Sequence, residues 1–406
     1  MPEAVIVSIA RSPIGRARKG SLASIRPDDL TVQMVAAALD KVPELDRGDI
    51  EDLMLGCGQP AGESGFNMAR IVATMLDLDH VGGTTVQRYC SSSLQTSRMA
   101  MHAIRAGEGD VFISAGVETV SRYEHGFADG HPDTKNPIFD DAGRRTEVAA
   151  TGQIEGWHDP REDGNLPDVY IAMGQTAENV AAFKGVSRAE QDEFGVRSQN
   201  LAEQGIANGF WASDITPVTL PDGTTVSKDD GPRAGVTMEG VSGLQPVFRP
   251  NGTVTAANCC PLNDGAAAVV IMSDTKARAL GLTPLARIVS TGLTGLSPEI
   301  MGLGPVEASR RALAHAGMSI GDIDLVEINE AFAAQVIPSA RDLGIPMDKL
   351  NVSGGAIAIG HPFGMTGARI TSTLINSLRF HDKQFGLETM CVGGGQGMAM
   401  ILERLS

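Results

Sequence analysis

Apolar and polar positions alternate along this chain in two distinct rhythms. "AVIVSIA" (Ala4–Ala10) is an apolar, β-branched run of the length of a buried strand. "DDLTVQMVAAALDKV" follows with Leu30, Met34, Ala37 and Ala38 on one helical face. "DIEDLMLG" predicts a strand ending at Gly56, and "TTVQRY" a short strand. "SSLQTSRMAMHAIRAGEGD" predicts a helix stopped by Gly107 and Gly109, and "VFISAGVE" a buried strand. Strands and helices alternating in this way predict an α/β fold with a largely parallel sheet.

The last third repeats the plan. "ASRRALAHAGMSIGDIDLVEIN" matches "VAAALDKVPELDRGDIEDLMLG", with Ala312-Leu313 over Ala38-Leu39 and Gly321-Asp322-Ile323 over Gly48-Asp49-Ile50. "NVSGGAIAIGHPFGMTGARITSTLINSL" falls where "TTVQRYCSSSLQTSRMAMHAI" falls in the first third, and "TMCVGGGQGMAMIL" parallels "VFISAGVET". Two related α/β halves, offset by about 270 residues, are therefore expected, with a site between them.

From about Arg122 to Pro250 the chain is polar and rich in Gly, Pro and Asp. Helices are expected near "GQTAENVAAFKG" and "SRAEQDEFGVRSQNLAEQGI". "TVTAANCCPLNDGAAAVVIMSD" returns to buried strand, Ala266 to Met272. The expected division is a first half over 1–121 completed by about 251–285, a loop domain over 122–250, and a second half over 286–406. An insertion of that length serves a site or an oligomer contact.

Composition narrows the class. With 406 residues the chain exceeds one ordinary core, and 42% apolar with 20% charged residues is globular. A net charge of −16 argues against non-specific binding to nucleic acid or anionic membrane, so an anionic ligand needs a local basic patch. The five cysteines (Cys57, Cys90, Cys259, Cys260, Cys391) are odd in number and lack CxxC spacing, which speaks against a disulfide scaffold or zinc site and for a reducing compartment. No run reaches 18 apolar residues, and "MPEAVIVSIARSPIG" has no signal-like pattern, so a cytoplasmic protein without a membrane span is expected.

Four positions could do chemistry. Cys90 in "QRYCSSSLQT" sits where a strand hands over to a helix, whose N-terminal N–H groups favour a thiolate and can hold an oxyanion. His361 lies in the glycine-dense turn "GGAIAIGHPFGMTG". Asn329, beside Glu330 in "LVEINEAFAAQ", stands where a strand ends and a helix begins, the place of an N-cap. Cys391 closes a strand before Gly393, Gly394 and Gly395. Two cysteines and a histidine on glycine-rich corners of matched halves suggest one pocket, with one thiolate attacking an acyl carbon and the second thiol moving a proton.

The chain resembles the thiolase family over its whole length. "CSSSLQ", "NEAFAAQ", "GGAIAIGHPFG" and "CVGGGQG" stand in the family's order and spacing, and "MGQTAENVA" and "NDGAAAVV" match too. The resemblance implies a five-layer αβαβα thiolase fold with an inserted loop domain, assembled as a homodimer or homotetramer. It implies no permanently bound cofactor and no metal, with coenzyme A and acyl-CoA as substrates. By resemblance, Cys90 is the nucleophile, and His361 activates it and forms an oxyanion hole with a water held by Asn329. Cys391 is the general acid/base, and the backbone N–H groups of Cys90 and Gly393 form a second oxyanion hole.

The implied activity is 3-ketoacyl-CoA thiolase, with acetoacetyl-CoA thiolase and a catalytically silent lipid carrier as alternatives. The complete cysteine–asparagine–histidine–cysteine set argues against the carrier, and Cys391 argues against a decarboxylating ketosynthase. Arg233 in "DDGPRAG" matches a loop that approaches the CoA nucleotide, and Cys260 a position near the pantetheine. Met173 and Met301 match acyl-pocket positions. Ala172 stands where short-chain members often carry histidine, which would open the pocket. Met365 stands where a small residue is common and would narrow it, and Ser93 replaces a frequent glycine.

Overall fold

The computed structural model describes residues 1–152 and 156–406. The first half comprises β1 (Ala4–Arg11), α1 (Pro27–Leu39), β2 (Asp52–Cys57), α2 (Met68–Met75), β3 (Gly82–Val86), α3 (Ser92–Ala106) and β4 (Val111–Thr119). The intervening region carries α4 (Met173–Lys184) and α5 (Arg188–Ala207) at the expected places. Ser187 and Glu190 form a reciprocal capping box at the start of α5. Strand β5 (Asn263–Ser273) follows. The second half comprises β6 (Ala286–Gly295), α6 (Gly304–Ala316), β7 (Leu325–Ile328), α7 (Ala333–Leu343), α8 (Thr366–Phe380), β8 (Phe385–Val392) and β9 (Gln396–Arg404).

The strands run in the order β7-β8-β9-β6-β1-β5-β4-β2-β3. In the first half β3, β2 and β4 are parallel neighbours, and β5 lies antiparallel between β4 and β1. The second half repeats this, with β7 and β8 parallel and β9 antiparallel between β8 and β6. A parallel bridge from Val326 to Leu350 stands where β3 stands in the first half. The sheet is thus mixed rather than simply parallel, because one strand of each half runs backwards. The halves meet edge to edge at β1 and β6, through two residue pairs, Val5↔Arg287 and Ile6↔Ala286.

Side-chain alternation converts these strands into five layers. Along β5, Ala267, Val269 and Ile271 enter one core, while Ala266, Ala268, Val270 and Met272 enter another. Along β9, Met398, Met400 and Leu402 join the first of these cores, while Ala399 and Ile401 join a third. The shared core holds Leu94, Met101 and Ile104 of α3 and Ala368, Ile370 and Leu374 of α8. So α3 and α8 form the central layer, covered on either side by one half-sheet. The outer layers are α1 with α2, and α6 with α7. In β1 the parity shifts: Ala4 and Ile6 face the central core, and after a register shift near Ser8, Ile9 faces it too.

The two central helices touch at backbone level. A Cβ on Gly367 would lie 2.1 Å from the Leu94 nitrogen, a distance no real side chain tolerates. Ala368 N–H donates to the Ser93 hydroxyl across the same contact (2.9 Å). Ser93, a departure from the family's frequent glycine, is therefore a tie between α3 and α8.

Candidate active site

Cys90 sits in a single turn, Tyr89–Ser91, between β3 and α3. Tyr89 holds a left-handed φ of 43°, a conformation that costs an aromatic residue on the order of 1–3 kcal/mol and that the surroundings must enforce. Ser92 helps: its hydroxyl accepts from Arg88 N–H (2.9 Å) and donates to the Tyr89 carbonyl (2.7 Å). The thiol is buried, and burial pushes its pKa up to about 12, against the opposing pull of the N–H groups of Gly393 and of Cys90 itself. The expected helix-end thiolate is therefore corrected. Loss of water outweighs the helix terminus, and the resting group is a neutral thiol that needs a base.

The hydrogen-bond chain around His361 fixes the protonation of its ring. Thr366 Oγ1 lies 2.7 Å from the Pro362 carbonyl and gives it its one proton. It must then accept from His361 Nδ1, 2.6 Å away. With Nδ1 protonated, the imidazole carries its lone pair on Nε2. Burial first, and the Arg369 guanidinium second, drive His361 down to about 3, so the ring is neutral at physiological pH. Arg369 Nη2 donates to Asn329 Oδ1 (3.4 Å), which turns the Asn329 amide nitrogen toward His361 Nε2 (3.3 Å). Asn329 is thus not an N-cap: α7 begins at Ala333, and the Asn329 side chain is buried beside the histidine.

Cys391 lies near the end of β8, fully buried. Gln335 Nε2 donates to its sulfur (2.7 Å) and also approaches the Asn329 carbonyl (3.4 Å). Burial and the neighbouring Cys90 hold the Cys391 thiol well above its ordinary pKa, and the Gln335 donor opposes them. Gly394 (φ 77°) and Gly395 (φ 82°) turn the chain sharply from β8 into β9. That turn brings the Gly393 backbone against the Tyr89 ring and its N–H onto Cys90. Glycines after the cysteine thus serve close backbone approach.

Two cavities lie in this region, one with Cys90 in its wall and one with Cys260. The larger, about 620 Å³, is lined by Arg16, Arg233, Phe248, Cys259 and Cys260 among others. The smaller, about 270 Å³, is lined by Cys90, Ala172, Met173, Phe363 and Gly393 with a polar set that includes Gln59 and Tyr170. Burial first, and then the neighbouring thiols of Cys259, Cys90 and Cys391, raise the Cys260 thiol pKa, so Cys260 lies near both site cysteines. Met301 lines neither cavity. It is buried with Ala177, Val254, Ala331 and Ala334 in the cluster that backs Cys391. The expectation for Met365 is corrected as well: it is fully buried in the central core, where its sulfur would lie 2.5 Å from a Cβ on Gly265, and it lines neither cavity.

Several groups that build the site carried no role in the sequence reading. Gln335 closes the very motif that contains Asn329, and Thr366 and Arg369 follow His361 by five and eight residues, a periodic signal once a helix start is assumed. Glu330 anchors the glycine loop before His361, accepting from Ser198 Oγ (2.5 Å), Asn351 Nδ2 (2.8 Å) and Ile357 N–H (3.1 Å). Glu118, raised by burial to about 7, accepts from the N–H groups of Gly58 (2.8 Å) and Gly364 (2.9 Å), tying the first half to the histidine loop. All five cysteines are free thiols.

Comparison with known proteins gives one answer. The family described as "Thiolase, N-terminal domain" matches residues 4–275, and "Thiolase, C-terminal domain" matches residues 282–404. The 3-ketoacyl-CoA thiolase of Bacillus subtilis is 42% identical, over 99% of this chain and 100% of that protein. The 3-oxoadipyl-CoA/3-oxo-5,6-dehydrosuberyl-CoA thiolase of Escherichia coli is also 42% identical, over 100% of both. Among solved structures, the dimeric peroxisomal thiolase of Saccharomyces cerevisiae superposes with a TM-score of 0.88 at 32% identity, covering 99% of this chain and 97% of that one. The Bacillus anthracis acetyl-CoA acetyltransferase superposes at 0.84 with 36% identity, covering 100% and 99%. The fold, the two paired thiols and the whole-length matches agree: the chain belongs to the thiolase family of acyltransferases.

Proposed function

We propose that the chain cleaves 3-ketoacyl-CoA with CoA to give acetyl-CoA and a shortened acyl-CoA, reversibly, through an acyl-Cys90 intermediate. The observation that carries this reading is a buried neutral thiol at the wall of a cavity, a neutral histidine with its Nε2 lone pair free of the ring proton, and a second buried thiol beside the first. His361 Nε2 takes the Cys90 proton, and the sulfur attacks the 3-keto carbon. The C2–C3 bond breaks, Cys391 gives its proton to the departing acetyl-CoA carbanion, and the acyl group stays on Cys90. Incoming CoA loses its thiol proton to Cys391, attacks the thioester and releases Cys90. In the reverse direction Cys391 removes the α-proton of acetyl-CoA. The imidazolium formed on His361, with a water on the Asn329 amide, offers one set of oxyanion donors, and the N–H groups of Cys90 and Gly393 offer the other.

The larger cavity is assigned to CoA. Arg233 and Arg16 supply the positive charge that a net −16 protein otherwise lacks, and Cys260 stands along the pantetheine. The smaller cavity takes the acyl tail, with Ala172 and Met173 in its wall and Met301 packed behind. CoA is substrate, and no permanent cofactor is invoked. The division into halves over 1–121 with 251–285 and over 286–406, around a loop domain over 122–250, is part of this reading. So are a cytoplasmic location and a homodimer or homotetramer; among the described residues no helix is long and apolar enough to cross a membrane.

Thiolysis of C4, C8 and C12 3-ketoacyl-CoAs at saturating CoA tests the tail assignment. Each buried methylene contributes about 0.8 kcal/mol, roughly fourfold in kcat/KM where fully expressed. A rise from C4 to C8 is expected. A steep fall would favour an acetoacetyl-CoA thiolase instead.

A further inference from the structure

The two cavities differ in charge. Arg16 and Arg233 line the larger one, whereas the smaller, beside Cys90, has among the described residues a single formally charged lining side chain, Asp129. Its polar neighbours in the wall are Gln59, Tyr89 and Tyr170. Gln59 is buried and paired with Asp129 at both ends: its Nε2 donates to Asp129 Oδ2 (2.7 Å), and its Oε1 accepts from Asp129 N–H (2.8 Å). This two-way clamp holds the carboxylate in place and engages one of the two Gln59 amide hydrogens. The Tyr170 hydroxyl accepts from Asn136 N–H (3.1 Å). Lys135 is engaged with the Tyr170 ring, its Nζ 5.5 Å from the centroid, and is not part of the cavity wall.

We infer that the acyl cavity selects neutral tails and that Asp129 discriminates against 3-ketoacyl-CoAs ending in a carboxylate. The inference rests on the thiolase reading of this site and deepens it. The relatives do not decide the matter, since one named for 3-ketoacyl-CoA and one named for 3-oxoadipyl-CoA are equally similar to this chain. The physics is an unlike pair of costs. A terminal carboxylate entering the cavity loses water and meets a like charge, with no lining guanidinium or ammonium to compensate. A methyl-terminated tail of the same length meets Ala172, Met173 and Phe363 and displaces only water. Rejection by an unpaired charge is a common source of specificity.

The test is a matched pair of six-carbon substrates, 3-ketohexanoyl-CoA and 3-oxoadipyl-CoA, assayed for thiolysis at saturating CoA with the full-length protein. We expect kcat/KM to favour the neutral substrate by about fivefold at low salt, the scale of one like-charge contact with a solvent-exposed carboxylate. The preference should shrink severalfold between about 0.01 M and about 1 M salt, as the like-charge repulsion is screened. Asp129→Asn should compress the ratio severalfold, mainly through KM for 3-oxoadipyl-CoA, whatever its effect on absolute rates. The salt series on the unmodified protein stands independently should the variant fold poorly. Comparable kcat/KM for the two substrates, or a ratio that neither salt nor Asp129→Asn moves, overturns the inference while leaving the thiolase reading intact. Absence of thiolysis with both substrates overturns that reading and this inference together.

Discussion

Helices α3 and α8 hold equivalent places in the two halves and lie against each other, yet the corners that open them have diverged completely. The turn into α3 carries Cys90 and a run of serines whose hydroxyls bond only to neutral groups. The turn into α8 carries His361 and Thr366, with a buried guanidinium, Arg369, one turn further on. Beneath α8 lie Glu327 and Glu388, both raised by burial, and Arg369 interacts with each. The strands differ likewise. Asp52 pairs with Phe112 and Leu325 with Gly386, so Val117 of β4 corresponds to Cys391 of β8. Duplication supplied two copies of one scaffold corner. One is a dry seat for the Cys90 thiol, and the other a charged network that fixes the proton state and orientation of the groups facing it.

The strongest challenge to this contrast is Cys90→Ala. If the α3 corner alone holds the nucleophile, turnover falls by on the order of 10⁴-fold or more, and mass analysis after incubation with acetyl-CoA finds no acetyl adduct. An acetyl group appearing on Cys391 instead would mean that the corners share the role. Cys391→Ala comes next. Condensation and thiolysis should fall by roughly 10²–10⁴-fold, while Cys90 still accepts an acetyl group from acetyl-CoA. Near-normal turnover in both directions would remove the acid/base from the second half.

Thr366→Val sharpens the argument about tautomers. It removes the acceptor that holds the proton on Nδ1, so kcat should fall by about tenfold, the scale of one lost hydrogen bond, with KM little changed. Thr366→Ser should restore most of the loss. Because His361 is held down to about 3, the unmodified enzyme should show no activity limb near the ordinary histidine pKa. A limb near pH 6.5 in kcat/KM would contradict a buried neutral base.

The smallest expected effect is on stability. Glu118 (about 7), Asp264 (about 6) and Glu327 (about 8) have folded pKa values above their unfolded ones. Their stabilisation is complete below the unfolded carboxyl range and is lost as pH rises through the folded values. His361, depressed in the fold, works the other way, but only below about pH 6.5. Urea midpoints measured from pH 6.5 to 8.5 should therefore fall through the carboxyls alone. Glu327→Gln should flatten the fall between pH 7 and 8.5 more than Asp264→Asn does.

What could be read from the chain follows from the range of each interaction. The alternation of β1, α1 and β2 and its echo in β6, α6 and β7 are local, and so were visible. Cys90, His361 and Cys391 stood out because glycine density marks close backbone approach. The protonation of Cys90 was misread because its thiol is desolvated by both halves, whereas only the helix end is local. Met301 and Met365 were placed by position in motifs, but the facing of a buried methionine depends on the elements packed over it. Gln335, Thr366 and Arg369 act across turns and layers, and nothing in their immediate neighbours distinguishes them from ordinary helix residues.

The placement of β5 between β1 and β4 has a consequence for synthesis. β1 leaves the ribosome first, but the partner that covers most of its length is β5, with Ala4 opposite Ser273. Closing a loop of that size costs about 5 kcal/mol in chain entropy by the logarithmic rule. Until residue 273 emerges, β1 and β4 each wait for the strand that belongs between them, and both are exposed apolar edges. The nascent first half therefore depends on protection from self-association until β5 emerges, more than a domain built from neighbouring strands would.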